Sequence, residues 1–162
     1  MAIDVGPIVA DAAVTDLWAA LDTETTFMLA APGERDGPGL PALSFRILEW
    51  DGPVAVGLAD VLVNPLARVR HRGQLRMGVR ASHQGRGIGR RILRTAIDHA
   101  RHIGLRKLEL TVRVDNTRAL SLYQSCGFII EGLRSASMAV DGRLLDEHYM
   151  AMVFSGAGEE VS

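Results

Sequence analysis

Gln84-Gly85-Arg86-Gly87-Ile88-Gly89 places three alternating glycines between a strand-like run and an amphipathic helical run. Glycine lets the main chain turn with positive φ and lets a ligand come close to it. The first turn of the helix that follows leaves N–H groups unpaired at a positive dipole end. The stretch reads either as a cradle for an anion, with phosphate the leading guest, or as an ordinary glycine-rich turn from strand to helix.

Downstream of Gly87 the pattern is helical, because Ile88, Ile92, Leu93, Ala96, Ile97, Ala100 and Ile103 recur as one apolar stripe before Gly104 supplies a stop. Upstream, residues 43–50 and 54–63 read as strands joined by a hairpin over Asp51, Gly52 and Pro53, and residues 69–79 as a third strand leading into the loop. Before them, residues 9–21 predict a helix. Glu24, Thr25, Thr26, Phe27, Met28 and Leu29 then lead into a tract dense in Gly and Pro over 31–41, suited to lining an entrance. Past the central helix, residues 105–112 read as a strand. Asp115 or Asn116 caps a short helix whose Ala119, Leu122, Tyr123 and Cys126 share one face, and Gly127 closes it. Residues 128–135 and 143–154 are predicted strands, joined through 138–140 by a hairpin over Asp141 and Gly142, with a frayed tail from Ser155. The expected fold is mixed α/β of the α+β kind: one domain over 1–162 with a mostly antiparallel central sheet flanked by helices.

Charge is segregated along the chain. Residues 1–60 hold ten acids against Arg35 and Arg46, whereas residues 61–97 hold nine arginines and no acid. That basic window brackets the glycine loop and favours a compact polyanion. It lacks the interleaved aromatic residues on which nucleic-acid bases stack, so no nucleic-acid partner is expected. Residues 1–14 have no basic leader, and the chain never holds about 18 consecutive apolar residues, so no membrane association is expected and a cytoplasmic location is. One cysteine, Cys126, excludes an internal disulfide, and the five histidines show no metal spacing, so no metal is expected.

Two familiar phosphate motifs fail. In a dinucleotide-binding reading the third glycine of G-x-G-x-x-G falls on Arg90, and three hairpin-like strands precede the loop where a doubly wound sheet needs a parallel one. A P-loop needs Gly-Lys-Ser/Thr, which the chain lacks. Gln84-x-x-Gly87-x-Gly89 instead resembles the acyl-coenzyme A pyrophosphate motif Q/R-x-x-G-x-G/A of the GNAT superfamily of N-acetyltransferases. Asn116-x-x-Ala119-x-x-Leu122-Tyr123-x-x-x-Gly127-Phe128 resembles the later cofactor and catalytic segment of that superfamily, in the right order and at about the usual distance. Glu131-Gly132 through Asp141-Gly142 to Asp146 and Met150 is similar to bacterial members. The likeness covers about residues 42–154.

The resemblance implies an enzyme that moves an acetyl group from acetyl-CoA to a primary amine by direct attack, or a coenzyme A binding module that has lost turnover. It implies that the N–H groups of Arg86, Gly87, Ile88, Gly89 and Arg90 hold the pyrophosphate, with Gly85 and Gln84 shaping the turn and Arg80, Arg86 and Arg91 supplying charge. It further implies a splayed strand pair at the cofactor site, where Met77, Gly78 and Val79 pair with the pantetheine arm. Asn116 either bonds that arm or only caps its helix. Tyr123 either protonates the leaving thiolate or packs on the apolar stripe, and Cys126 reads as a small buried hydrophobe rather than a nucleophile. Many relatives carry a glutamate where this chain has Gln74, which cannot take a proton. Glu24, His71, Asp60, Asp146 and Glu147 are the substitutes, acting directly or through water; Glu24 is preferred for its place on the entrance tract, and the other four are unranked. The implied acceptor is a small-molecule amine or a peptide or protein N-terminus, and a homodimer is an assembly common in the superfamily.

Overall fold

The structure, a computed structural model, describes residues 1–9, 11–25 and 44–155. The expected entrance tract beyond Thr25 and the tail beyond Ser155 lie outside the described residues. Along the chain come β1 (Ala2–Pro7), α1 (Ala12–Glu24), β2 (Phe45–Asp51), β3 (Val54–Val63) and β4 (Arg72–Val79). After a single 3-10 turn (Ala81–His83) follow α2 (Ile88–His102), β5 (Lys107–Arg113), α3 (Thr117–Ser125), β6 (Ile129–Val140) and β7 (Arg143–Val153). The strands form one sheet in the order β1-β2-β3-β4-β5-β7-β6. Only the β4–β5 pair is parallel, so the expectation of a mostly antiparallel sheet with flanking helices holds.

The apolar stripe of α2 lands on one face of this sheet. Ile88, Ile92, Leu93, Ala96, Ile97 and Ala100 are buried against Val56, Ala59, Val61 and Leu75, with Tyr123 of α3 in the same cluster. Ile103, predicted to extend the stripe, is exposed, because it is the C-cap residue and Gly104 turns the chain with φ +83°. On the opposite face α1 buries Val14, Leu17, Trp18 and Leu21 against Ala55 and Leu58. β3 therefore has covered residues on both faces, which explains its nearly unbroken apolar run.

Three expectations change. β1 is an additional strand: Ile3 and Val5 alternate as a strand requires, but as an edge strand it leaves both exposed, so its apolar signal is weak. α1 starts at Ala12 rather than near Val9, because the Asp11 carboxylate accepts from the N–H of Ala13 at 2.7 Å and caps it there. The closing segment is one long strand, β6, rather than a strand followed by a separate hairpin arm. Its pairing with β7 shifts between Arg134 and Met138, where Ala136 takes φ +51° and donates its N–H to Asp146 at 2.8 Å. A bulge whose spare N–H finds a carboxylate keeps the strand continuous.

Candidate active site

β4 and β5 pair only at Arg72, Gln74 and the residue between, opposite residues 107–109, although β4 continues to Val79 and β5 to Arg113. Beyond Gln74 the two strands splay, while β4 stays paired with β3 as far as Val79. The β5-facing backbone edge of β4 is thus left open. A cavity of about 590 Å³ occupies the splay, with Met77, Gly78 and Val79 on one wall, the glycine loop at one end, and Asn116 at the cap of α3 with Leu122 and Tyr123 of α3 opposite. Gly78 lets α1 close over this wall, because a Cβ there would sit 2.6 Å from Leu21.

The loop has the conformation that its glycines permit. Gly85 and Gly87 take φ +79° and +77°, and Gly87 is the N-cap of α2 without any side-chain cap. The N–H groups of Ile88, Gly89 and Arg90 open α2 and so have no acceptor within the helix. All three residues line the cavity. At Gly89 an added Cβ would meet Leu122 at 3.3 Å, so the glycine permits α3 to pack close beside the start of α2. Gln84 braces the cradle: its Nε2 donates to the Val79 carbonyl at 3.1 Å, and its Oε1 accepts from Arg118 at 2.7 Å. An open strand edge ending in backbone donors at a helix start, both facing one cavity among the described residues, fits an extended arm carrying a pyrophosphate.

The arginines divide differently from the sequence expectation. Arg91 is bound to Glu49 at 2.6 Å, and Arg80 lies 3.6 Å from Glu24. Arg86 does not line the cavity; its carbonyl accepts from Arg91 at 3.4 Å. Arg90 and Arg118 do line it. Arg118 was not singled out from sequence, and its only signal is its place in the first turn of α3 between Asn116 and Ala119.

Among the proton-transfer candidates, Tyr123 and Glu24 reach the cavity. Tyr123 is 8% exposed, its ring centroid 5.8 Å from that of Phe128, and burial pushes its phenol well above the usual tyrosine range. Asn116 caps α3, accepting from the N–H of Ala119 at 3.2 Å, and also lines the cavity. Glu24, at the end of α1, accepts from the N–H of Ala81 at 2.7 Å. It is the one carboxylate among the described lining residues. Gln74 is exposed at the paired end of β4. Asp60 is buried in a two-pronged pair with Arg46 at 2.6 and 2.7 Å, Glu147 is held by Ser137 and Arg134, and Asp146 accepts from Ala136. Neither these nor His71 line the cavity, and Cys126 lies on a separate depression beside Arg94 and Arg101. No group of three metal-binding side chains occurs among the described residues. No helix among them is long and apolar enough to cross a membrane.

The acetyltransferase (GNAT) family matches residues 15–128 of this chain. The N-alpha-acetyltransferase RimI of Mycobacterium tuberculosis is 52% identical over 66 residues, 41% of this chain and 40% of that protein. The spermidine N(1)-acetyltransferase of Vibrio cholerae is 29% identical over 101 residues, 62% of this chain and 57% of that protein. The chain therefore spans about half the length of these curated relatives. A Salmonella typhimurium protein solved with acetyl-CoA as its cofactor shares the fold, with a TM-score of 0.79 at 18% identity over 100% of this chain and 99% of that one.

Proposed function

The chain belongs to the acetyltransferase (GNAT) family, and on that premise we propose that it transfers an acetyl group from acetyl-CoA to a primary amine by direct attack. The observation that carries the reading is the continuity of the open β4 edge with the glycine cradle in one cavity that also holds Tyr123. Acetyl-CoA supplies the activated thioester and a pyrophosphate. The N–H groups of Ile88, Gly89 and Arg90, at the positive end of α2, bind the phosphates, with Gly85 and Gly87 keeping the approach clear and Gln84 shaping the turn. Arg90 and Arg118 supply positive charge. Met77, Gly78 and Val79 hold the arm along β4, and one of their N–H groups polarises the reacting carbonyl. Asn116, its carboxamide oxygen committed to the helix cap, offers its NH₂ to the arm.

Tyr123 protonates the departing thiolate. An ordinary phenol, with a pKa of about 10, already holds its proton at working pH. The place of Tyr123 on the cavity wall beside the open β4 edge supports this role; burial makes it a weaker acid. Glu24 takes the proton of the attacking amine through water. Of its two oxygens one already accepts from the N–H of Ala81 and the other faces Arg80, and a carboxylate is by nature a weak base toward an ammonium group. A weak base suits an amine that needs little help. A lysine-like amine of pKa about 10.4 costs about 4.6 kcal/mol to deprotonate at pH 7, an α-amino group near 7.8 only about 1 kcal/mol. The proposed acceptor is therefore a low-pKa amine: an α-amino group on an amino acid, a peptide or a protein N-terminus, or an amino sugar.

Thiol release from acetyl-CoA, measured with paired α-amine and ε-amine acceptors at pH 7 and pH 9, tests the reading. The α-amine should win at pH 7, and the ε-amine should gain more on going to pH 9. Coenzyme A binding without thiol release from any amine would favour the binding module instead. An ε-amine that wins already at pH 7 would refute the weak-base argument.

A further inference from the structure

Glu49 lies on β2, outside the cavity, and is 1% exposed. A carboxylate so deeply buried is costly unless it is paired. Its Oε1 accepts from Arg91 Nε at 3.1 Å and Nη2 at 2.6 Å, while its Oε2 is buried without a hydrogen-bond partner among the described residues. Arg91 belongs to the first turns of α2, and its N–H donates to the Gly87 carbonyl at 3.1 Å. Its remaining guanidinium nitrogen, Nη1, donates to the Arg86 carbonyl at 3.4 Å. Through this one side chain the interior of the sheet touches the loop at Arg86, immediately before the N-cap of α2.

We infer that Glu49 and Arg91 are positioning residues for the cradle: Glu49 anchors the Arg91 guanidinium, which holds the Arg86 carbonyl and so aims the N–H of Gly87. The geometric reason is the planar trans peptide, in which the carbonyl of one residue and the N–H of the next point in opposite directions. A guanidinium that draws the Arg86 carbonyl to itself turns the Gly87 N–H the other way, away from Arg91, and Gly87 lines the cavity whereas Arg91 does not. Glycine at 87 leaves that peptide free to rotate, so an external hold is needed to keep its donor aimed. The pair also keeps the buried charge of Glu49 compensated close to a loop built for anions. The ligand half of this inference rests on the cavity binding coenzyme A.

The test compares the full-length parent with Glu49→Gln and Arg91→Lys by three readouts: coenzyme A affinity by calorimetry, KM against kcat for acetyl-CoA, and amide hydrogen exchange of residues 86–88 without ligand. As an anchor, Glu49 should make Glu49→Gln weaken coenzyme A binding severalfold, raise KM with little change in kcat, and speed exchange at Gly87. Arg91→Lys keeps the charge but lacks the fork that reaches Glu49 and Arg86 together, so it should do the same. Were Arg91 a phosphate ligand held back by Glu49, Glu49→Gln would leave affinity unchanged or tighten it, and that result overturns the inference. A lowered melting temperature with unchanged affinity and unchanged loop exchange, measured well below melting, would also overturn it. Should Glu49→Gln not fold, Arg91→Lys decides on the same readouts. If the parent itself binds no coenzyme A, the reading of the cavity falls, while the exchange measurement still judges the anchor.

Discussion

Replacing Gly87 by alanine and by glutamate separates the two properties on which the cradle depends. Gly87 takes φ +77°, and a Cβ there would lie 3.8 Å from Arg91 Nη1, an ordinary contact. Alanine therefore costs backbone strain alone, about 1–2 kcal/mol for an L-residue in the left-handed region. Glutamate adds charge: a carboxylate about 6 Å from one phosphate charge repels it by about 3 kcal/mol at an effective dielectric constant of about 20. Where the free loop relaxes out of the left-handed conformation, binding must restore it, and the sum, about 4–5 kcal/mol, then corresponds to roughly a thousandfold loss of coenzyme A affinity or more, against about tenfold for alanine. Titration calorimetry at low and high salt measures both, and the extra loss caused by glutamate should shrink as salt screens it. Unchanged affinity in Gly87→Glu would remove the cradle from the argument. Equal losses in the two variants would show that charge plays no part.

Tyr123→Phe removes only the hydroxyl, so coenzyme A affinity should hold while kcat falls about tenfold or more; normal turnover would leave Tyr123 a packing residue. His99, whose ring meets that of Phe45 at a centroid distance of 4.5 Å, has its pKa lowered by burial and then by His102. A lowered folded-state pKa gives stability that is present above the ordinary value of 6.5 and is lost as pH falls through the folded value. The melting temperature should therefore drop from neutral toward acid pH, and less steeply in His99→Gln; identical slopes would contradict this. Asp60→Ala strands the guanidinium of Arg46, which is 8% exposed, and should lower unfolding free energy by about 3–5 kcal/mol in urea titrations. A loss below about 1 kcal/mol would mean that water reaches that pair.

Local sequence determined the local geometry. The stripe of α2, the glycines at 85 and 87, and the Asp141-Gly142 turn were readable because a helix period, a positive φ and a tight turn each depend on a few neighbouring residues. The superfamily resemblance was readable for the same reason, since both of its motifs are contiguous. Pairings across the chain were not. β1 was missed because an edge strand buries little, and the end of β4–β5 pairing at Gln74 depends on how two distant strands diverge. Composition counted nine arginines around the cradle but could not say which were already bound. Arg91 is committed to Glu49, 42 positions away, and Glu24 caps the N–H of Ala81, 57 positions away. Only the folded chain brings these charges within hydrogen-bonding distance, and electrostatic pairing follows separation in space rather than in sequence.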